Sequence, residues 1–143
     1  MAIEISGIIA LTFELDKATS ALGETDEALA PIQGAGSVSK LTAIQNGAIR
    51  GIDLEIESPQ SAGDDVIGSV YVAGSRVDGT EVTIAGAGSS AGADYAISRF
   101  DKDVAPVSEG DSIEVKVKST DATNCAPSGI LATVYLQLGT SEI

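Results

Sequence analysis

The sequence predicts an all-β protein, an antiparallel β-sandwich of about eight strands that forms a single domain over residues 1–143. Apolar and polar residues alternate with a period of two along most of the chain, as in strands with one buried face. Turn signals separate these segments at intervals typical of a sandwich or a barrel. At 143 residues the chain can bury a core without disulfides, and Cys125 is its single cysteine.

The first alternating segment covers residues 3–15. Its length predicts a strand that bends at Gly7 or is split between two sheets, so residues 1–15 are expected to form an extended strand or arm. Residues 17–36 lose the alternation and are expected to cross between the sheets; the alternative is a helical turn near residues 25–30. The apolar face of the first segment is formed by Ile3, Ile5, Gly7, Ile9, Leu11, Phe13 and Leu15.

Asn46-Gly47 is a strong hairpin signal, because a type I′ turn needs positive φ at both central residues. It predicts a hairpin with arms at residues 38–45 and 48–57. In the second arm Ile52, Leu54 and Ile56 are expected to point inward, and Asp53, Glu55 and Glu57 outward.

The remaining strands follow the same pattern. Residues 66–72 are expected to pair with residues 81–85 through Asp78-Gly79, and residues 95–100 form the next strand. In the last two strands the inward residues are expected to be Ile113, Val115 and Val117, then Ile130, Ala132, Val134, Leu136 and Leu138.

The chain has few of the residue types that catalytic sites commonly use. The chain has no histidine, which excludes Ser-His-Asp and Cys-His arrangements and the usual zinc sites. Carboxylates could in principle serve acid–base chemistry or bind calcium, but they fall in predicted turns, where Asp is routine. We therefore predict no enzymatic activity, no cofactor and no metal. The carboxylates concerned are Asp64-Asp65, Asp101 with Asp103, and Glu109 with Asp111.

The chain is strongly acidic. It has 8 Lys and Arg residues against 21 Asp and Glu residues, for a net charge of −13. This charge repels phosphate backbones and anionic lipids, so we predict no nucleic-acid partner and no membrane partner. The N-terminal residues lack the pattern of a signal peptide, and the expected site of synthesis is the cytoplasm.

Several apolar residues are out of phase with the buried face. Tyr71 lies between inward Val70 and Val72, and Tyr135 lies between inward Val134 and Leu136. Outward tyrosine is common in sheets for cross-strand packing, but it is also enriched at interfaces. The predicted partner-contact residues are Ile8, Tyr71, Tyr95, Leu131 and Tyr135.

Three segments carry a resemblance to a known type of protein: a Gly-Asp turn followed by residues 66–72, residues 110–117, and residues 132–138. They resemble the small β-sandwich modules of tailed bacteriophages, which occur in capsid decoration (cement) proteins and in head or tail fibres. The resemblance covers about residues 60–138.

The resemblance implies a jelly-roll-like fold, a homo-oligomer that is often a trimer, and binding to the major capsid protein on the capsid surface of a virion assembled in the host cytoplasm. No catalytic residue carries over. The alternative is a fibre or lectin-like module that binds carbohydrate, and another virion part, such as a tail-tube subunit, also stays open.

Overall fold

The computed structural model describes residues 7–15, 27–31, 40–56, 65–85, 95–119 and 129–139. In these ranges the chain forms twelve strand segments, and no helix there is long and apolar enough to cross a membrane. The segments are β1 (Gly7–Leu15), β2 (Glu27–Ala28), β3 (Ala30–Pro31), β4 (Leu41–Thr42), β5 (Gly47–Ile56), β6 (Val66–Val72), β7 (Ser75–Arg76), β8 (Val82–Ile84), β9 (Tyr95–Arg99), β10 (Ala105–Val107), β11 (Ser112–Ser119) and β12 (Ile130–Leu138).

The segments form two antiparallel sheets packed face to face. Sheet I has the order β10-β5-β12-β1-β3, with β9 beside β10 along the same edge of β5. Sheet II has the order β2-β11-β6-β7, with β4 beside β2 along β11 and β8 beside β7 along β6. The predicted antiparallel β-sandwich is confirmed.

Neighbouring short segments continue one another, so the twelve segments make eight passes of the chain. β2 with β3 forms pass two, β4 with β5 pass three, β7 with β8 pass five, and β9 with β10 pass six. The strands β1, β6, β11 and β12 are passes one, four, seven and eight. Sheet I then contains passes six, three (through β5), eight and one, and sheet II contains passes five, four, seven and two (through β2). The short segments β3 and β4, the other parts of passes two and three, pair with the opposite sheets. Successive passes change sheets, except for passes four and five, which are neighbours in sheet II; this is the connectivity of a jelly roll.

The core lies between the two sheets and is formed by the predicted inward faces. Along β12 the burial alternates without a break, and in β11 Ile113, Val115 and Val117 are buried. Ile52, Leu54 and Ile56 of β5, which neighbours β12 in sheet I, belong to the same core cluster as the β11 residues of sheet II. Removing these apolar side chains from water is the main source of stability, about 25 cal/mol per Å² of apolar area.

The predicted hairpin at Asn46-Gly47 is wrong. Its two arms belong to different sheets, because β4 pairs with β11 and β5 pairs with β12. Asn46 instead joins loops: its Oδ1 accepts a 2.9 Å hydrogen bond from the Glu109 N–H, and its carbonyl accepts one of 3.2 Å from the Gly139 N–H. Gly47 begins β5, where a Cβ atom would collide with the Gln137 carbonyl oxygen.

The alternative of a helical turn near residues 25–30 is wrong for residues 27–30, the part that the structure describes. Residues 27–31 are extended, with β2 in sheet II and β3 in sheet I, so this stretch does cross between the sheets. Leu29, between the two segments, is fully buried, and its N–H donates to the Val115 carbonyl at 2.9 Å. Ala28 and Leu29 therefore lie in a segment that crosses between the sheets.

The first strand is buried only toward its end. Phe13 is in the core and Leu11 packs against it, but Ile9, which was expected to face inward, is 36% exposed. Residues 1–6 lie outside the described residues, as do Cys125 and Asp64, so the expected N-terminal arm stays a prediction.

The predicted pairing of residues 66–72 with residues 81–85 is confirmed by β6 and β8. The tight turn, however, comes earlier than expected. Ala73 and Gly74 both have positive φ, 52° and 85°, and connect β6 directly to the short β7. Asp78-Gly79 forms a second turn that returns the chain to β8.

Candidate functional site

The outer face of sheet I, which is turned away from sheet II, gathers most of the predicted contact residues. Strand register places Ile8, Tyr95, Leu131 and Tyr135 on this face, since each alternates with or pairs beside residues that point away from the core. Ile97 of β9 joins them. The face therefore collects four of the five residues that the sequence singled out.

Two cross-strand rows make up one half of this face. In the first row, Tyr95 lies opposite Glu55, Glu55 opposite Leu131, and Leu131 opposite Glu14. In the second row the sequence of opposed residues is Ile97, Asp53, Thr133 and Thr12. Opposed side chains on one face of a sheet are close enough to interact.

A polar cluster formed by Asp53, Arg99 and Tyr135 lies at the middle of the face, and we call it the Asp53 cluster. The Tyr135 hydroxyl donates a 2.8 Å hydrogen bond to Asp53 Oδ2. Arg99 Nη1 donates to Asp53 Oδ1 at 2.5 Å, and the guanidinium lies 4.8 Å from the centroid of the Tyr135 ring. One carboxylate thus holds both an arginine and a tyrosine, and the arginine also makes a cation–π contact.

Gly51 makes this arrangement possible. It lies between Arg99 on one side and Tyr135 on the other in the pairing of β5. A Cβ atom at Gly51 would be 2.8 Å from Arg99 Cδ and 2.9 Å from the Ser98 carbonyl oxygen. The missing side chain leaves the space across which Arg99 reaches Asp53 and Tyr135.

The hydrogen bonds of the Asp53 cluster raise two pKa values. The pKa of Tyr135 is raised, first because its hydroxyl donates to Asp53 and second because the side chain is partly removed from water. The pKa of Arg99 is also raised, chiefly by its hydrogen bond to Asp53. Tyr135 therefore stays protonated and Arg99 charged at neutral pH, and neither is tuned for proton transfer.

A second polar contact borders the cluster where β5 and β12 change register. The pairing shifts between Tyr135 and Leu136, an irregularity of the kind produced by a β-bulge. There Arg50 Nη1 donates to Gln137 Oε1 at 2.5 Å, and Arg50 Nε donates to the Phe100 carbonyl at 3.1 Å. Both arginines of this face are thereby held by groups of the same chain.

The apolar side chains around the cluster are exposed to solvent. Ile8 is 63% exposed, Tyr95 62% and Ile97 57%. Exposed Ile44 (63%) lies elsewhere, in the connection between β4 and β5. Isolated exposed apolar residues are ordinary, but several on one sheet face mark a surface suited to contact with another molecule.

Tyr71 does not join this face. It points outward from sheet II, as expected from its phase, and lies opposite Glu114 of β11. Lys116 Nζ is 4.4 Å from the centroid of its ring. The predicted contact residues therefore divide between the two outer faces, four on sheet I and one on sheet II.

The candidate carboxylates serve turns where the structure describes them. Asp111 Oδ2 accepts a 2.9 Å hydrogen bond from the Ser108 N–H, which closes the turn at Gly110. Asp103 pairs with the neighbouring Lys102 at 3.3 Å. Across the described ranges, no group of three or more His, Cys, Asp or Glu side chains is placed to hold a metal ion.

Sequence reasoning missed Arg99 and Ile97 as members of the site. Alternation along residues 95–99 places both on the face of Tyr95, so the signal was present. Asp53 was expected to point outward, but its two partners depend on the register of β9 and β12 against β5. That register comes from long-range pairing and cannot be read from a local pattern.

No protein-family profile matches this chain, and no curated protein matches it. A solved structure described as "PRD1 vertex protein P5" is similar over 91% of this chain and 96% of that chain, with 11% sequence identity and a TM-score of 0.45. Similarity at this level supports no statement about what the chain does.

Proposed function

We propose that this chain is a structural virion protein of the decoration (cement) type, which binds the major capsid protein through the outer face of sheet I. The observation that carries the proposal is the convergence of Ile8, Tyr95, Ile97, Leu131 and Tyr135 on one partly exposed sheet face. We take the major capsid protein as the partner because the strand segments resemble those of phage β-sandwich modules that bind it.

The physical basis is the burial of this face against a protein lattice. Tyrosine supplies a large contact area with few rotatable bonds, and it is enriched at the centres of interfaces. The Asp53 cluster holds Arg99 and Tyr135 in place before binding, which lowers the entropy lost when a partner docks. A preformed sheet face with fixed anchors suits repeated binding to identical lattice sites.

The rest of the proposal follows from the same role. The chain acts without catalysis and without a cofactor, assembles as a homo-oligomer with a trimer as the expected form, and resides on the capsid surface. Its acidic surface keeps it away from the packaged genome, because like charges repel.

Sedimentation with capsid shells tests the proposal. Purified protein is mixed with expanded and with unexpanded shells of the virus that encodes it, and free and bound protein are separated and quantified. Saturable binding to expanded shells at a fixed ratio to the capsid subunit is expected. Absence of binding to either shell overturns the proposal, and the solution mass measured alongside tests the trimer.

A carbohydrate-binding module is the second candidate. Tyr95 is well exposed, and its opposed neighbour Glu55 is an exposed carboxylate, so an aromatic ring and a hydrogen-bond acceptor lie side by side. Such pairs can hold a sugar ring. Binding to a glycan array by a protein that ignores capsid shells would favour this candidate over decoration.

A further inference from the structure

The two arginines at the middle of the outer face of sheet I form hydrogen bonds with other groups of the same chain. Arg99 is bound to Asp53 through a 2.5 Å contact, and Arg50 is bound to Gln137 and to a backbone carbonyl. A partner therefore gains little by placing a charge there, since each arginine already has a polar partner. The neighbouring exposed groups, Tyr95 and Ile97, are aromatic and aliphatic.

The margin of the same face has a different character. Glu55 and Glu14 lie in the first cross-strand row, separated by Leu131 of β12. With two strand spacings between them, their Cα atoms are about 10 Å apart. Both side chains are exposed, and neither forms an ion pair with any residue in the described ranges.

Apolar side chains occupy the places between and beside these carboxylates. Tyr95 lies next to Glu55 on one side, and Leu131 lies next to it on the other. Ile97 is one row further along β9. The row thus alternates apolar and acidic side chains. It borders the Asp53 cluster, where the charged groups already have partners within the chain.

We infer that the occupant of this face is a protein surface with an apolar centre and lysine or arginine at one margin, opposite Glu14 and Glu55. This inference rests on the proposed function and specifies the chemistry of its partner. A second copy of the chain is a poor occupant, because each copy carries a net charge of −13 and would bring its own carboxylates to the contact.

Selection from a random twelve-residue peptide library displayed on filamentous phage tests the inference without any capsid. The wild-type protein is the target, and a selected peptide is then synthesised and its affinity measured for four variants. Ile97→Ser and Glu55→Lys change the face. Ile44→Ser and Glu109→Lys are matched controls, since both residues are exposed and lie outside it.

The expected peptides combine aliphatic or aromatic residues with lysine or arginine. We expect each face variant to weaken binding at least tenfold and each control to change it less than twofold, with affinity falling as salt is raised. Selection of acidic or uncharged peptides, failure to select any peptide, or unchanged affinity in either face variant overturns the inference.

The two proposals can fail separately. If the wild-type protein ignores capsid shells but selects basic apolar peptides through this face, decoration fails and the partner chemistry stands. If it decorates shells while Ile97→Ser and Glu55→Lys bind them as well as wild type does, decoration stands and the assignment of this face fails. Circular dichroism and urea unfolding verify that each variant is folded.

Discussion

The Tyr135 hydroxyl reaches diagonally across two paired strands to Asp53, at a distance of 2.8 Å between the hydroxyl oxygen and Oδ2. In the register of β5 and β12, Tyr135 lies opposite Gly51 and Asp53 lies opposite Thr133. The bond therefore connects positions two residues apart on neighbouring strands, and Arg99 of β9 reaches the same carboxylate from the other side.

Replacing Tyr135 by Phe removes this bond and keeps the ring under Arg99. We expect Tyr135→Phe to lower the free energy of unfolding by about 0.5–1.5 kcal/mol, the usual net contribution of one hydrogen bond. Urea unfolding measures it. Tyr95→Phe is the matched control, because the Tyr95 side chain is 62% exposed, and it should stay within about 0.5 kcal/mol of wild type.

The same bond predicts a loss of stability at alkaline pH. The pKa of Tyr135 is raised in the folded protein, chiefly by its hydrogen bond to Asp53. This stabilising contribution is therefore complete below the ordinary tyrosine pKa of about 10 and is lost as the pH rises through the folded-state value. Urea midpoints should fall more steeply above that pH for wild type than for Tyr135→Phe, and equal slopes would contradict the prediction.

Gly51 should not tolerate a side chain. In Gly51→Ala the new Cβ meets both the Arg99 side chain at 2.8 Å and the Ser98 backbone carbonyl at 2.9 Å. Arg99 can move, but the carbonyl belongs to a paired strand, so we expect destabilisation of about 1–3 kcal/mol.

A double-mutant cycle with Arg99→Ala separates the two causes. If only the arginine is in the way, Gly51→Ala should cost nothing in the Arg99→Ala background. A residual loss there assigns the remainder to the Ser98 carbonyl.

Gly47 should be needed for close approach, not for a turn. A type I′ hairpin accepts Asn at its glycine position, because Asn adopts positive φ more readily than most residues. In the structure any Cβ at position 47 collides with the Gln137 carbonyl oxygen.

Gly47→Ala and Gly47→Asn should therefore both destabilise by about 1–3 kcal/mol or more in thermal or urea unfolding. A well-tolerated Asn would restore the hairpin interpretation that the strand pairing rejects.

Thr80 holds the turn after β7 through a buried hydroxyl. Its Oγ1 accepts a 3.1 Å hydrogen bond from the Val70 N–H and donates one of 2.7 Å to the Val77 carbonyl. Thr80→Val keeps the shape but leaves the Val70 N–H without its acceptor, while the Val77 carbonyl keeps only the longer 3.4 Å bond from the Thr80 N–H. Because Thr80 is fully buried, we expect a loss of about 1–3 kcal/mol. Exposed Thr83→Val is the control and should be nearly neutral in the same unfolding assay.

The strands that alternate cleanly were predictable from the sequence. β5, β11 and β12 each bury the face that the pattern predicted. Alternate side chains of a strand point to opposite faces, so the apolar set determines which face is buried. The same logic placed Tyr135 and Leu131 outward. This local information was enough for the fold class and for part of the site.

Pairing between distant residues was not predictable in the same way. Asn46-Gly47 has the composition of a hairpin turn, yet β4 and β5 go to different sheets because each finds a longer-range partner. Leu29 lies between the short segments β2 and β3, whose partners are in different sheets, and no local pattern indicates those partners. The Asp53 cluster needs three strands in register, and no local rule brings Arg99 beside Tyr135.

The position of β12 has a consequence for the timing of folding. It lies between β1 and β5 and pairs with both along its whole length. Until residues 130–138 have left the ribosome, β1 lacks its main neighbour and the first nine described residues have little to dock against. We expect residues 7–15 to stay undocked until this strand has been synthesised, and the sandwich to close only after it, in one cooperative step.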